Sequence, residues 1–131
     1  MALAILQART SSSRLPGKVL RPLLGRAMIL RELDRLKECR EITQLVLATS
    51  TDPTDDELAQ TVEASGYDVY RGSLDDVLGR YYHCAQRYMP THVVRLTGDC
   101  PVIDPHIVDR VTVQHAAERN DYTSTTERFP D

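Results

Sequence analysis

Short apolar runs alternate along the chain with longer segments in which apolar residues recur every three or four positions. The runs predict buried strands and the periodic segments predict amphipathic helices. Strands are expected at residues 3–8, 44–49, 67–70 and 92–96, with a fifth at 121–125. Helices are expected at residues 28–39, 54–65, 73–88 and 104–118. This order predicts an α/β fold, a mainly parallel sheet with helices on both faces.

Two of the helices have recognisable boundary signals. Thr54 and Glu57 have the spacing of a capping box, and Gly66 ends the helix that it opens. Asp104 followed by Pro105 is typical of a helix N-terminus. In the helix that starts near residue 73, the positions expected to face the core are Val77, Leu78, Tyr81, Ala85 and Tyr88.

Composition indicates one soluble domain over residues 1–131, with 41% hydrophobic and 27% charged residues. No apolar run approaches the roughly 20 residues of a membrane span, and the first residues do not form a signal peptide. We therefore expect a cytoplasmic protein that does not bind membranes. The three widely spaced cysteines argue against a disulfide framework, and we expect reduced thiols in or near the core.

The charge is unevenly distributed. The net charge of −3 gives no general attraction to nucleic acid, but no acidic residue precedes Glu32. The basic residues of this first segment are Arg9, Arg14, Lys18, Arg21, Arg26 and Arg31. This pattern indicates a small anionic ligand held at one place.

In parallel sheets, ligands bind beyond the carboxyl ends of the strands. The first such segment, residues 9–18, combines hydroxyl groups, Gly17 and three cations. Backbone N–H groups of such loops bind anions, and Arg and Lys add charge. The segment does not match the Walker A or dinucleotide-binding patterns. The alternative is an exposed loop whose cations are simply solvated.

Other strand ends carry carboxylates. Asp99, beside a glycine, has the hard oxygens that Mg²⁺ prefers, although a turn Asp that bonds its own backbone is the alternative. Ser50 and Asp52 offer groups for a base or ribose, or else form an ordinary turn before a helix. Asp76 lies in a first helical turn, where acids also favour the helix dipole. An anion-binding loop and a metal carboxylate at one sheet edge predict chemistry on a nucleoside triphosphate.

Four segments in order resemble the sugar cytidylyltransferases, the CMP-sialate and CMP-Kdo synthetases, and above all the branch of the spore coat polysaccharide biosynthesis protein F. The segments are Leu6-Gln-Ala-Arg-Thr-Ser-Ser-Ser-Arg-Leu-Pro-Gly-Lys18, Ala48-Thr-Ser-Thr-Asp52, Arg71-Gly-Ser-Leu-Asp-Asp-Val-Leu-Gly-Arg-Tyr-Tyr82 and Arg95-Leu-Thr-Gly-Asp-Cys-Pro101. The resemblance implies a Rossmann-like nucleotidyltransferase fold that binds CTP and Mg²⁺. It also implies that an acidic-sugar hydroxyl attacks the α-phosphate and pyrophosphate leaves.

The resemblance also implies roles for individual residues. Arg9, Arg14 and Lys18 would hold the triphosphate, and Arg14 and Lys18 would neutralise charge on the leaving pyrophosphate. Asp99 would bind the metal. The residues that would contact the rest of the nucleotide are Leu6, Ala8, Ser13, Ser50, Asp52, Arg71 and Asp76.

Members of that family are nearly twice as long as this chain. The remaining half would supply a second metal carboxylate, much of the sugar site and the contacts of a homodimer. We therefore expect an exposed sheet edge or apolar patch, covered by self-association. Two alternatives stay open: a module that binds a nucleotide or nucleotide-sugar without turnover, and a glycosyltransferase, although the D-x-D motif of the latter is absent near Asp99.

Overall fold

The computed structural model describes residues 1–11 and 14–126. The strands are β1 (Ala2–Gln7), β2 (Pro22–Leu23), β3 (Arg26–Ala27), β4 (Gln44–Ser50), β5 (Asp68–Gly72) and β6 (His92–Thr97). The α-helices are α1 (Met28–Leu36), α2 (Asp56–Ala64), α3 (Val77–Tyr88) and α4 (Pro105–Glu118). Short 3₁₀ helices cover Lys18–Leu20 and Pro53–Asp55.

Four strands form a parallel sheet in the order β5-β4-β1-β6, so the first strand lies in the interior. β1 is buried along its length because it pairs with β4 on one side and β6 on the other. The predicted parallel α/β architecture is confirmed. A small antiparallel hairpin, β2–β3, was not anticipated; it turns at Leu24 and Gly25, which both have positive φ.

Helices cover both faces of the sheet. On one face, α1, α2 and α4 pack on alternate residues of the strands, including Leu6 and Leu47. On the other face, α3 places Tyr81 and Cys84 against Leu3, Ile5 and Val46. None of the helices in the described part of the chain combines the length and hydropathy that a membrane span requires.

The predicted inward position of Leu78 is wrong, because its side chain is 79% exposed. The buried stripe of α3 follows the helical period through Tyr81 and Cys84, and Leu78 lies off it. Arg80, which the sequence prediction left out of the stripe, is 1% exposed.

Two further predictions from the sequence are also wrong, the N-cap of α2 and the fifth strand. Thr54 does not cap α2; instead the Asp52 side chain accepts the Thr54 N–H at 2.9 Å and caps the preceding 3₁₀ helix. Residues 121–125 are described and form no strand. There the chain is held by local polar contacts, among them His115 Nδ1 to Thr123 Oγ1 at 3.0 Å, so it does not reach a sheet edge.

Candidate functional site

The carboxyl ends of the strands are joined to one another by backbone hydrogen bonds. Ala8 N–H donates to the Ala48 carbonyl at 3.1 Å, and Gly98 N–H donates to the Gln7 carbonyl at 2.7 Å. On the far side, Thr51 N–H donates to the carbonyl of Gly72 at 2.9 Å. The segments that follow β1, β4, β5 and β6 therefore start from one continuous edge.

Gly98 allows the turn after β6 to approach β1 unusually closely. A Cβ at this position would lie 2.8 Å from the Ala8 Cβ and 3.0 Å from the Gln7 carbonyl oxygen, closer than van der Waals contact permits. The absence of a side chain thus brings the Asp99 turn directly against the start of the segment 9–18.

That segment is closed into a loop by a hydrogen bond from Gly17 N–H to the Thr10 carbonyl at 2.9 Å. Gly17 has φ +70°, in the left-handed region that other residues rarely adopt. A Cβ there would meet nothing within 4 Å, so glycine is required by the backbone angle and not by crowding. Ser13 lies outside the described residues.

The loop carries three positively charged side chains. Arg9 and Arg14 are exposed and Lys18 is half-buried, and none of the three forms an ion pair with a residue that the structure describes. Their charges are available to an anionic ligand, and in its absence they are solvated.

Asp55 anchors the base of the loop, and sequence reasoning missed it. This fully buried carboxylate accepts the Thr10 N–H at 2.7 Å and the Thr10 hydroxyl at 2.9 Å through Oδ1. Its Oδ2 accepts the hydroxyl of Ser50. A buried acid bonded to three donors holds the first loop against the end of β4.

Two of the residues expected near the base or ribose form hydrogen bonds within the protein. The Ser50 hydroxyl is buried and bonded to Asp55. The hydrogen bonds that Thr54 donates through its hydroxyl and its N–H lower the pKa of Asp52. These contacts are those of a turn that precedes a helix, and contact of Ser50 or Asp52 with a base or ribose stays a prediction.

Arg71 and Asp76 also make structural contacts. Arg71 donates from Nε to the Ser50 carbonyl at 2.7 Å and from Nη2 to Asp52 O at 3.1 Å, and it pairs with the Asp56 carboxylate at 2.7 Å. Asp76 is the N-cap of α3 and accepts the N–H of Gly79 at 2.8 Å. Both residues fix the strand-end loops in place.

Leu6 and Ala8 occupy the core side of the edge. Leu6 is fully buried and Ala8 is 5% exposed, and both belong to the apolar cluster between the sheet and α1. Leu6 offers no exposed side-chain surface to a ligand in this conformation. Contact between either residue and a nucleotide stays a prediction.

Asp99 is exposed on the turn after β6. Its Oδ1 accepts the Thr97 hydroxyl at 2.7 Å, which orients the carboxylate, and no described residue bonds its Oδ2. Within the described residues, no three His, Cys, Asp or Glu side chains cluster as a metal site. A single carboxylate fits Mg²⁺, which completes its six-coordinate shell with phosphate oxygens and water.

Glu32 supports the Asp99 turn from below. It is fully buried, and its Oε2 accepts the Cys100 N–H at 3.3 Å, while Oε1 has no partner among the described residues. Desolvation by burial raises the pKa of Glu32 to about 8. Glu32 and Arg80 share a signal that sequence reasoning overlooked: each is a charged residue at a position of its helix's apolar stripe.

Comparison with known proteins gives consistent results. Residues 3–129 match the model of a family described as Cytidylyltransferase. The chain is 38% identical over 125 residues to the spore coat polysaccharide biosynthesis protein SpsF of Bacillus subtilis, covering 92% of this chain and 52% of that protein. The chain therefore spans about half the length of the curated relatives it matches.

The solved structures with a similar fold include two cytidylyltransferases. A cytidylyltransferase from Leptospira borgpetersenii superposes with a TM-score of 0.86 at 34% identity, over 90% of this chain and 50% of that one. The structure of CMP:2-keto-3-deoxy-manno-octonic acid synthetase complexed with CTP superposes with a TM-score of 0.79 at 26% identity, over 90% and 48% of the two chains. In both, the match covers about half of the longer protein.

Proposed function

Because the chain belongs to the cytidylyltransferase family, we propose that its strand-end loops bind CTP and that it serves in transfer of the cytidylyl group to an acidic sugar. The proposal rests on the arrangement of charged side chains at the carboxyl edge of the parallel sheet. An anchored loop whose three cations form no ion pair with a described residue lies next to a carboxylate turn, and Gly98 sets their close approach. The similar synthetase whose structure contains CTP supports the choice of nucleotide.

In this proposal, Arg9, Arg14 and Lys18 hold the triphosphate. Charge-assisted hydrogen bonds from Arg and Lys to phosphate are among the strongest that proteins form. The oxygen of the sugar hydroxyl forms a bond to the α-phosphorus and loses its proton to water, and the bond from that phosphorus to the pyrophosphate oxygen breaks. Arg14 and Lys18 neutralise the charge that develops on the departing pyrophosphate.

Asp99 is the proposed ligand of Mg²⁺. When bound, the ion neutralises phosphate charge and helps to orient the triphosphate. Oδ2 of Asp99 faces no described donor, whereas Oδ1 is held by Thr97, so the carboxylate is oriented and one oxygen is available. The remaining ligands would be phosphate oxygens and water.

The sugar class and the biological role rest on relatives. The SpsF protein is described as acting in spore coat polysaccharide biosynthesis, and a relative from Syntrophotalea carbinolica is described as 3-deoxy-manno-octulosonate cytidylyltransferase. We infer a role in surface polysaccharide synthesis with an acidic sugar as acceptor. We also propose that residues 1–131 form one nucleotide-binding unit.

One observation favours a second candidate, nucleotide binding without turnover. The described residues contain no cluster of three potential metal ligands, so Asp99 is proposed here as a single protein ligand. Such a module would bind CTP through the same loop and release no pyrophosphate.

Thermal shift with a nucleotide panel tests the proposal. CTP with Mg²⁺ should raise the melting temperature more than ATP, GTP or UTP does, because a ligand that binds only the folded state stabilises it. Asp99→Asn should reduce the contribution of Mg²⁺, whereas Asp75→Asn, an exposed acid away from the turn, should not. No shift with any nucleotide would contradict the proposal, and pyrophosphate release with an acidic sugar would exclude the module without turnover.

A further inference from the structure

Helix α1 lies along the segment that connects β6 to α4, and two of its buried residues contact the turn around Asp99. Ile29 lies beneath Gly98, where an added Cβ would lie 3.1 Å from the Ile29 Cδ1. One helical turn further along, Oε2 of Glu32 accepts the N–H of Cys100 at 3.3 Å. The two residues that flank Asp99 in the sequence are therefore both held by α1.

The rest of the connection between β6 and α4 is held by the same helix and the residues after it. Arg35 donates from Nε to the Ile103 carbonyl at 2.6 Å. The Cys39 thiol, which lies just after α1, is 3.7 Å from the carbonyl oxygen of Pro105. Because these contacts recur from residue 98 to residue 105, the connection follows the course of α1 and is positioned by it.

Glu32 is an unexpected residue at its position in α1. Its neighbours on the buried face, Ile29, Leu33 and Leu36, are apolar and at most 1% exposed, and Glu32 itself is fully buried. Its Oε1 has no hydrogen-bond partner among the described residues. Burial of a carboxyl group with only one bonded oxygen lowers stability. Packing of the core therefore does not account for a glutamate at this position.

Burial also determines the charge of Glu32. Desolvation raises its pKa to about 8; the hydrogen bond from Cys100 opposes this shift, and the negative charge of Asp99 adds to it. At neutral pH the side chain is therefore mostly an uncharged acid. It accepts the N–H of Cys100 without placing a second negative charge beside Asp99.

We propose that Glu32 is a positioning residue for the Asp99 carboxylate, because it fixes the peptide group between Asp99 and Cys100. This inference rests on the proposed function, in which Asp99 binds Mg²⁺, and adds the residue that determines how strongly the ion strengthens CTP binding. Glu32 acts only through the N–H of Cys100. With that peptide group held, the carboxylate is oriented before the ion binds; without it, ordering the turn costs conformational entropy and lowers the affinity.

Two variants separate the hydrogen bond from the shape of the side chain. Glu32→Gln keeps an oxygen that can accept the Cys100 N–H, whereas Glu32→Leu fills a similar space and has no acceptor. Neither variant can ionise at residue 32, so a difference between them reports on the hydrogen bond. Glu38→Leu, at an exposed position just after α1, is the matched control. Asp99→Asn gives the value expected when the ion has lost its carboxylate ligand.

The quantity measured is the ratio of the CTP affinity in Mg²⁺ to the CTP affinity in EDTA, by titration calorimetry of the whole chain at neutral pH. We expect Glu32→Leu to lower this ratio by about tenfold, since residues that orient a metal ligand typically affect metal affinity by that much or more. Glu32→Gln and Glu38→Leu should keep the wild-type ratio. The CTP affinity in EDTA should be unchanged in both Glu32 variants.

Hydrogen exchange of the wild-type protein tests the same contact without a ligand. The amide of Cys100 should exchange about a hundredfold more slowly than in the unfolded chain, although Cys100 itself is exposed. Exchange as fast as in the unfolded chain would mean that Glu32 does not hold this peptide group. That result would overturn the inference even if Glu32→Leu does not fold.

The outcomes separate this inference from the proposed function. If Glu32→Leu keeps the wild-type ratio, or if Glu32→Gln loses as much as Glu32→Leu, the inference is overturned while the proposed function stands. A parallel loss of affinity in Mg²⁺ and in EDTA leaves the ratio unchanged, and would show that Glu32 has a purely structural role. If the wild-type protein binds CTP in neither condition, the proposed function fails and this inference fails with it.

Discussion

The buried carboxylate of Asp55 accepts the backbone N–H of Thr10 at 2.7 Å, which links two residues that are 45 positions apart in the sequence. This contact makes the base of the cationic loop part of the folded core. The loop is therefore positioned by the helix that follows β4, as well as by its own turn at Gly17.

Replacing Asp55 should affect both stability and ligand binding. We expect Asp55→Ala to lower the free energy of unfolding by about 2–4 kcal/mol, because the donors of Thr10 and Ser50 lose their acceptor. CTP affinity should fall as well, because the loop loses its anchor. Urea unfolding and isothermal titration measure the two effects. The neighbouring exposed residue provides the control: Glu57→Ala should change stability by less than about 0.5 kcal/mol.

Binding of the triphosphate can be measured separately from binding of the rest of the nucleotide. Arg14→Ala and Lys18→Ala should each weaken CTP binding more than CMP binding, because the two cations are expected to contact the β- and γ-phosphates. Titration calorimetry with both nucleotides measures the difference. Arg40→Ala and Lys37→Ala serve as matched controls, since both residues are exposed and lie between α1 and the start of β4. Equal losses for CTP and CMP would show that the loop does not contact those phosphates.

Glu32 should make stability depend on pH. The pKa of Glu32 is about 8 in the folded state, against 4.5 for an ordinary Glu side chain, so between these two pH values the native protein binds one more proton than the unfolded chain. Stability should therefore fall as pH rises from 4.5 to 8, by at most about 1.4 kcal/mol per pH unit from this group. Below pH 4.5 the side chain is protonated in both states, so stability no longer changes with pH through this group and is at its highest.

The variant Glu32→Gln removes this titration while keeping the shape of the side chain. Its unfolding free energy, measured in urea at pH 5, 6.5 and 8, should exceed that of the wild type by an amount that grows with pH. A constant difference across this range would mean that Glu32 is ionised in the folded protein throughout.

The cysteines should differ in reactivity. Cys100 is exposed, whereas Cys39 and Cys84 are buried, and desolvation raises the pKa of each buried thiol to about 11. The thiolate is the reactive form, so a thiol reagent at pH 8 should modify Cys100 quickly and the other two only on unfolding. Mass spectrometry of the modified peptides identifies the order. Rapid modification of Cys84 in the folded protein would contradict the packing of α3 on the sheet.

Self-association through β6 is the prediction for oligomeric state. In the described structure this strand pairs only with β1, and Val93 on it is 47% exposed. An open strand edge with apolar side chains favours pairing with another chain. Light scattering should find a homodimer, and Val93→Lys should shift it toward monomer. Leu24→Lys, at the exposed hairpin turn, should leave the mass unchanged.

The sequence was sufficient to predict the sheet because its strands are strongly apolar and separated by segments of helical period. β1 and β4 are central and buried on both faces, so their patterns admit no other interpretation. The segment at 121–125 pairs with no strand that the structure describes, and local polar contacts such as that between His115 and Thr123 hold it instead. Strand formation there depends on a partner, which local pattern does not reveal.

The site was predicted less completely, and the reason is physical. Sequence reasoning assigned ligand roles to Ser50 and Asp76, which stay predictions, and it did not anticipate that both side chains also form hydrogen bonds within the protein. It also missed Asp55, Glu32 and Arg80. Whether a polar group faces a ligand or a neighbouring backbone depends on distances between segments far apart in the chain, which sequence spacing does not encode.

Gly98 also determines how rigid the site is. The Asp99 turn and the cationic loop are spaced by direct contact between two backbones, with no side chain between them that can change rotamer. The spacing between the backbones of the two segments is therefore set by the covalent chain and the strand register. Even a methyl group at residue 98 would push the Asp99 turn away from the cationic loop, although neither segment would change chemically.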